Sequence, residues 1–124
     1  MALILVVEDE RFVRSAMAQL LTLHGHEVLQ ARSGSEAVET CMKRRVDLVI
    51  TDLAIPDIDG LHLIPTLMEG RPDLPIIAIS ATFTGALLNT VKLLGGVGTL
   101  EKPFTQDELL ATVDKVLGTD AMPC

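Results

Sequence analysis

Hydrophobic residues fall in this chain into two alternating textures. Residues 3–7, 48–50, 76–79 and 97–100 are short runs, largely apolar and β-branched, of the kind that forms strands covered on both faces. Glu27, Val28, Leu29, Gln30 and Ala31 form a fifth, more polar run suited to a sheet edge. Between these runs the apolar residues recur every three or four positions, which is the helical spacing. Residues 11–23 put Val13, Ala16, Met17, Leu20 and either Leu23 or His24 on one face, and Gly25 is a natural stop.

The remaining helices carry start and stop signals. Ser33 with Glu36 is a capping box opening a helix over Ala37, Val38, Cys41 and Met42, and Lys43-Arg44-Arg45 suits its negative end. Asp59 can cap a third helix carrying Leu61, Ile64, Leu67 and Met68. Pro65 falls past its first turn, where a proline costs about 3 kcal/mol, so a kink or irregular start is expected. Residues 84–94 predict a fourth helix with Leu87, Leu88, Val91 and Leu94 inward and Gly95-Gly96 after it. Thr105 with Glu108 opens the last helix, over Leu109, Leu110, Val113, Val116 and Leu117, closed by Gly118. Five strand–helix alternations joined by short crossovers require a parallel sheet with helices on both faces. The 124 residues make one domain, 3–118, with a frayed tail at 119–124.

Composition changes that picture only by exclusion. A net charge of −7 repels phosphate backbones, and with no Trp or Tyr the usual base-stacking side chains are missing, so direct nucleic-acid binding is not expected. No apolar stretch is long enough to span a bilayer, and residues 1–7 have neither a basic leader nor a cleavage site; a cytoplasmic protein with no membrane contact is expected. Cys41 and Cys124 have no metal-ligand spacing and read as reduced thiols, Cys124 the more reactive.

Candidate chemistry lies where the runs end. In open α/β sheets ligands bind outside the carboxyl ends of the strands, and here those ends carry Glu8-Asp9, Asp52, Ser80 and Lys102. Alone, Asp52 would most often just open a turn, and Lys102 would be a solvated lysine before a proline. Together they make a site: clustered carboxylates repel one another unless a cation intervenes, and Mg²⁺, a hard ion content with one or two carboxylates, is the natural one. Asp57 reads as loop charge, and His24, His26 and His62 as structural.

Glu8-Asp9, Asp52 with Pro56 and Asp59-Gly60 after it, Ser80-Ala81, and Lys102-Pro103-Phe104, in that order, resemble the receiver domains of two-component response regulators from residue 3 to about 117. The resemblance implies a flavodoxin-like (βα)5 three-layer sandwich with a five-stranded parallel sheet in the order 2-1-3-4-5. It implies a signalling phosphoacceptor rather than an enzyme: Asp52 takes a phosphoryl group from a phosphohistidine on a histidine kinase or phosphotransfer protein and switches an output partner. Asp9, Asp52 and the Ala54 backbone carbonyl would bind Mg²⁺, with Glu8 acting through water. Lys102 and Ser80 would bond the phosphoryl oxygens, the bond before Pro103 would be cis, and a homodimer would use the face of the fourth helix, fifth strand and fifth helix.

The sequence departs from the family pattern in three places: Glu8-Asp9 where Asp-Asp is commoner, Ile55 for the usual methionine, and Thr99 where a Tyr or Phe usually serves as the switch ring. Thr99 sustains a competing reading, a degenerate receiver acting as a phosphorylation-independent interaction module. A flavodoxin-like cofactor binder is disfavoured because Glu8-Asp9-Glu10 would repel a phosphate where a cradle is needed. A small phosphatase would have the acids and Mg²⁺, but no substrate pocket is legible.

Overall fold

The computed structural model describes residues 1–94 and 97–118. Five strands, β1 (Leu3–Val7), β2 (Glu27–Ala31), β3 (Leu48–Asp52), β4 (Ile76–Ser80) and β5 (Val97–Glu101), alternate with five helices, α1 (Arg11–Leu23), α2 (Gly34–Lys43), α3 (Gly60–Gly70), α4 (Gly85–Leu93) and α5 (Gln106–Leu117). All strand pairs are parallel and the sheet order is β2-β1-β3-β4-β5, with the polar β2 at an edge as its composition requires. Gly95-Gly96 and the tail from 119 to Cys124 lie outside the described residues. No helix among those described is long and apolar enough to cross a membrane.

Strand alternation divides the core in two. Leu5, Val7, Val49, Ile76 and Ala78 face Ala37, Leu63, Ile64 and Leu67 of α2 and α3. Ile4, Val6, Leu48, Ile50, Ile77 and Ile79 face Met17 and Leu21 of α1 and Leu109 and Val113 of α5. The central strands are apolar on both sides because both sides are covered, which makes the three-layer sandwich.

Helix faces differ in places from the sequence expectation. In α1 the buried residues are Met17, Ala18 and Leu21, while Ala16 is exposed and Leu23 is 78% exposed. The helix ends just after Leu23, where His24 caps it and Gly25 takes φ 96°. Met42 at the end of α2 is exposed, and in α4 only Val91 is fully buried, with Leu87, Leu88 and Leu94 partly so. The helix α3 continues through Pro65. Pro65 is exposed, so solvent can serve the carbonyl one turn back that its missing N–H leaves.

The turn after β3 is fixed by its neighbours. Asp57, at φ 62°, accepts the Ser35 amide at 3.2 Å, tying the turn to the start of α2. It is therefore a structural anchor and more than loop charge. A Cβ on Gly34 would lie 2.6 Å from Ile58 Cβ, and one on Gly60 would lie 2.6 Å from Leu53 Cα and 3.0 Å from the Asp52 carbonyl. Gly60 thus lets α3 begin against the backbone that carries Asp52. Because the obstruction is backbone, Gly60→Ala is expected to cost about 2 kcal/mol in urea unfolding; a loss under about 0.5 kcal/mol would show that α3 can withdraw freely.

Candidate functional site

Register brings the charged strand ends together. Val7 lies opposite Thr51, Asp52 opposite Ile79, and Ile79 opposite Leu100, so Glu8, Asp52 and Lys102 emerge side by side at the carboxyl edge. Asp52 is 5% exposed and Glu8 3% exposed, whereas Asp9, next along an extended chain, is exposed. Lys102 Nζ reaches between the two buried acids, bonding Asp52 Oδ2 and, at 3.3 Å, Glu8 Oε1. The Lys102–Pro103 bond is cis, as expected.

Backbone donors fix both carboxylates. Asp52 Oδ1 accepts the Ala54 amide at 2.8 Å and Glu8 Oε2 accepts the Glu10 amide at 3.0 Å. Arg14 Nη1 donates to the Glu8 carbonyl at 2.8 Å, and the buried Thr51 hydroxyl donates to the Asp52 carbonyl at 3.0 Å. Arg14 and Glu10 were not recognisable from sequence as part of this frame. Glu10 also caps α1 by accepting the Phe12 amide, and an acid four residues before an arginine carries no motif.

Burial pushes the Glu8 carboxyl above the ordinary carboxylate range; the Glu10 amide and Lys102 oppose this, and the charge of Asp52 adds to it. For Lys102, burial alone would weaken the ammonium, but the bond and charge of Asp52 and then Glu8 outweigh it and hold its pKa above normal. Two buried carboxylates against one ammonium leave an excess of negative charge. That excess, presented by hard oxygen donors, fits a magnesium ion. Among the described residues no three His, Cys, Asp or Glu side chains are grouped to cage a metal unaided, so the fit is to an ion that retains water and substrate oxygens.

A cleft of about 460 Å³ opens above Asp52, lined by Leu53, Ala54, Asp59, His62, Ser80, Ala81, Leu87 and Lys102. Ser80 is in it, but its hydroxyl is engaged within its own loop, donating to the Thr82 carbonyl at 3.0 Å and accepting the Thr82 amide at 3.2 Å. Glu101 accepts the Phe83 amide at 3.1 Å, holding the same loop against β5. Thr99 is not brought to the site: it is exposed on β5 and lines a separate hollow with Lys92, Thr112 and Lys115.

Comparisons with known proteins identify the family. A family model described as the response regulator receiver domain matches residues 4–114. The chain is 39% identical to the DNA-binding transcriptional regulator NtrC of Azospirillum brasilense, over 98% of this chain and 25% of that protein. It is 34% identical to the response regulator MprA of Mycobacterium sp. (strain KMS), over 92% of this chain and 50% of that protein. The chain therefore spans between a quarter and a half of these curated relatives. Among solved structures, the Vibrio cholerae chemotaxis protein CheY4 superposes with a TM-score of 0.89 at 29% identity, over 94% of this chain and 98% of that one. The non-phosphorylated HemR receiver domain of Leptospira biflexa gives 0.89 at 26% identity, over 100% and 98%.

Proposed function

The chain belongs to the response regulator receiver domain family, and from that premise we propose that Asp52 accepts a phosphoryl group from a phosphohistidine on a histidine kinase or phosphotransfer protein. A carboxylate oxygen of Asp52 attacks phosphorus, the P–N bond breaks, and the imidazole of the donor leaves. The observation that carries this reading is the buried Asp52 carboxylate at the end of β3, oriented by the Ala54 amide and paired with Lys102 at the floor of an open cleft. Phosphoryl transfer needs in-line positioning and neutralised charge more than bond-making groups from the protein. Lys102 is within reach of the transferred oxygens on a flexible stem.

Asp9, Asp52 and the Ala54 carbonyl, with Glu8 through water, would hold Mg²⁺, which supplies charge neutralisation to the phosphoryl oxygens. Small, exposed Ala54 and Ala81 keep the approach open. The domain spans 3–118 and works in the cytoplasm as a signalling module, apart from slow loss of its own phosphoryl group. Incubation with acetyl phosphate and Mg²⁺ followed by intact mass tests the reading. No gain in the wild type would contradict it and favour the interaction module.

Output follows from what Ser80 must give up. To bond a phosphoryl oxygen its hydroxyl has to exchange the Thr82 carbonyl for the phosphate, which loosens the loop before α4. Thr99 offers no ring to change position in response, so the coupling to a partner or to a second copy through α4, β5 and α5 falls at the low end of the usual range of about 1–3 kcal/mol. Partner or self-association affinity, compared with and without the phosphoryl group, is expected to shift more in Thr99→Tyr than in wild type. A large wild-type shift that the substitution leaves unchanged would make the missing ring irrelevant.

A further inference from the structure

The cleft that holds Lys102 also holds a polar pair that phosphoryl uptake does not use. His62, in the first turn of α3, lines the same cleft as Asp52, Ala54, Ser80 and Lys102. Its Nδ1 lies 2.8 Å from Asp59 Oδ2, while Asp59 Oδ1 accepts the His62 amide at 3.0 Å. Side-chain and amide bonds from His62 hold the Asp59 carboxyl below the usual range, so it remains ionised. An ionised carboxylate at Nδ1 selects the tautomer with the proton on that nitrogen and leaves the lone pair on Nε2. The ring is 80% exposed, so water reaches it.

We propose that His62 is the general base for hydrolysis of the acyl phosphate on Asp52, with Asp59 as its positioning residue. The assignment rests on the phosphoacceptor reading above and adds what ends the signal. Nε2 takes a proton from a water in the cleft as the water oxygen bonds to phosphorus. The bond from phosphorus to the Asp52 oxygen breaks, its electron pair returns to the carboxylate, inorganic phosphate leaves, and the imidazolium gives its proton to solvent. The charged groups that line the cleft with the imidazole are Asp59 from its own cap, Asp52 from β3 and Lys102 beyond β5; Ala81 and Leu87 line it without charge. A pair that served only to cap α3 would have no influence on phosphoryl lifetime.

The test is the decay of label after removal of acetyl phosphate, measured as released phosphate per labelled protein between pH 5 and 8. In wild type the rate should rise with pH, as proton removal by a neutral base requires. In His62→Gln decay should be about tenfold slower or more, with the rise removed, since positioned general bases contribute about 10²–10⁴-fold. Asp59→Asn, which retains an acceptor for the helix amide, should slow decay by a smaller factor. Equal decay rates and equal pH profiles in wild type and His62→Gln would overturn the role of His62 while leaving Asp52 as phosphoacceptor. Absence of label in wild type would instead remove the phosphoacceptor reading on which it depends.

Discussion

Replacing Asp52 with Asn is expected to abolish stable phosphoryl incorporation, lowering it at least about a hundredfold, or about 2.7 kcal/mol of transition-state free energy. The amide is nearly isosteric and its oxygen can still accept the Ala54 amide, so the turn after β3 should survive. What is lost is chemical: an uncharged carboxamide is a poor nucleophile, and Lys102 keeps only Glu8 as an anionic partner. The other acids cannot substitute. Glu8 is buried with Oε2 committed to the Glu10 amide, and Asp9 lies outside the pair that Lys102 bridges. Intact mass after acetyl phosphate and Mg²⁺ checks this, and label persisting in Asp52→Asn would move the acceptor elsewhere.

The second large effect is on stability. Lys102→Met leaves two nearly fully buried carboxylates without their common cation. Breaking a buried pair from one side costs about 3–5 kcal/mol, but Lys102 is itself 33% exposed, so solvent screening reduces the expected loss at pH 7 to about 2 kcal/mol. Its pH dependence has a definite sign. The folded Glu8 carboxyl already binds its proton more tightly than the ordinary value of 4.5, and removing the lysine raises it further. The penalty is therefore full above that raised value, fades as pH falls through it, and is smallest below 4.5, where Glu8 is protonated in both states. Urea unfolding of both proteins at pH 7 and pH 5 measures it, and Mg²⁺ should restore part of the loss at pH 7. Equal stability at pH 7 would mean that the lysine does not balance the acids.

Much of this site was legible in the sequence because strand-end chemistry rests on short-range signals. An apolar run fixes where a buried strand stops, so Glu8, Asp52, Ser80 and Lys102 could be assigned to one sheet edge before any contact was known. The Thr105–Glu108 capping box closed reciprocally as its spacing requires. The box at Ser33 closed only in half: Ser33 accepts the Glu36 amide, but the Glu36 carboxylate turns to Arg32, binding both its amide and its guanidinium. An arginine directly before the cap outcompetes a neutral backbone donor. Helix faces were less legible, since periodicity gives an arc and not its edges; packing decided that Ala18 and Leu21, rather than Ala16 and Leu23, face the sheet.

Two features were beyond pattern reading altogether. The hydroxyl of Ser80 could be assigned to the site but not its present engagement with Thr82, because a rotamer is set by the loop it sits in. His62 reads as a structural histidine until the turn around Gly60 sets α3 beside the Asp52 backbone.

The most direct measurement is to trap the acyl phosphate chemically. Protein incubated with acetyl phosphate and Mg²⁺ is treated with borohydride, which reduces an aspartyl phosphate to homoserine, and is then digested and sequenced by mass. Homoserine is expected at position 52 and nowhere else. Conversion at Asp9 or Asp59, or full phosphoryl incorporation with residue 52 still aspartate, would contradict it.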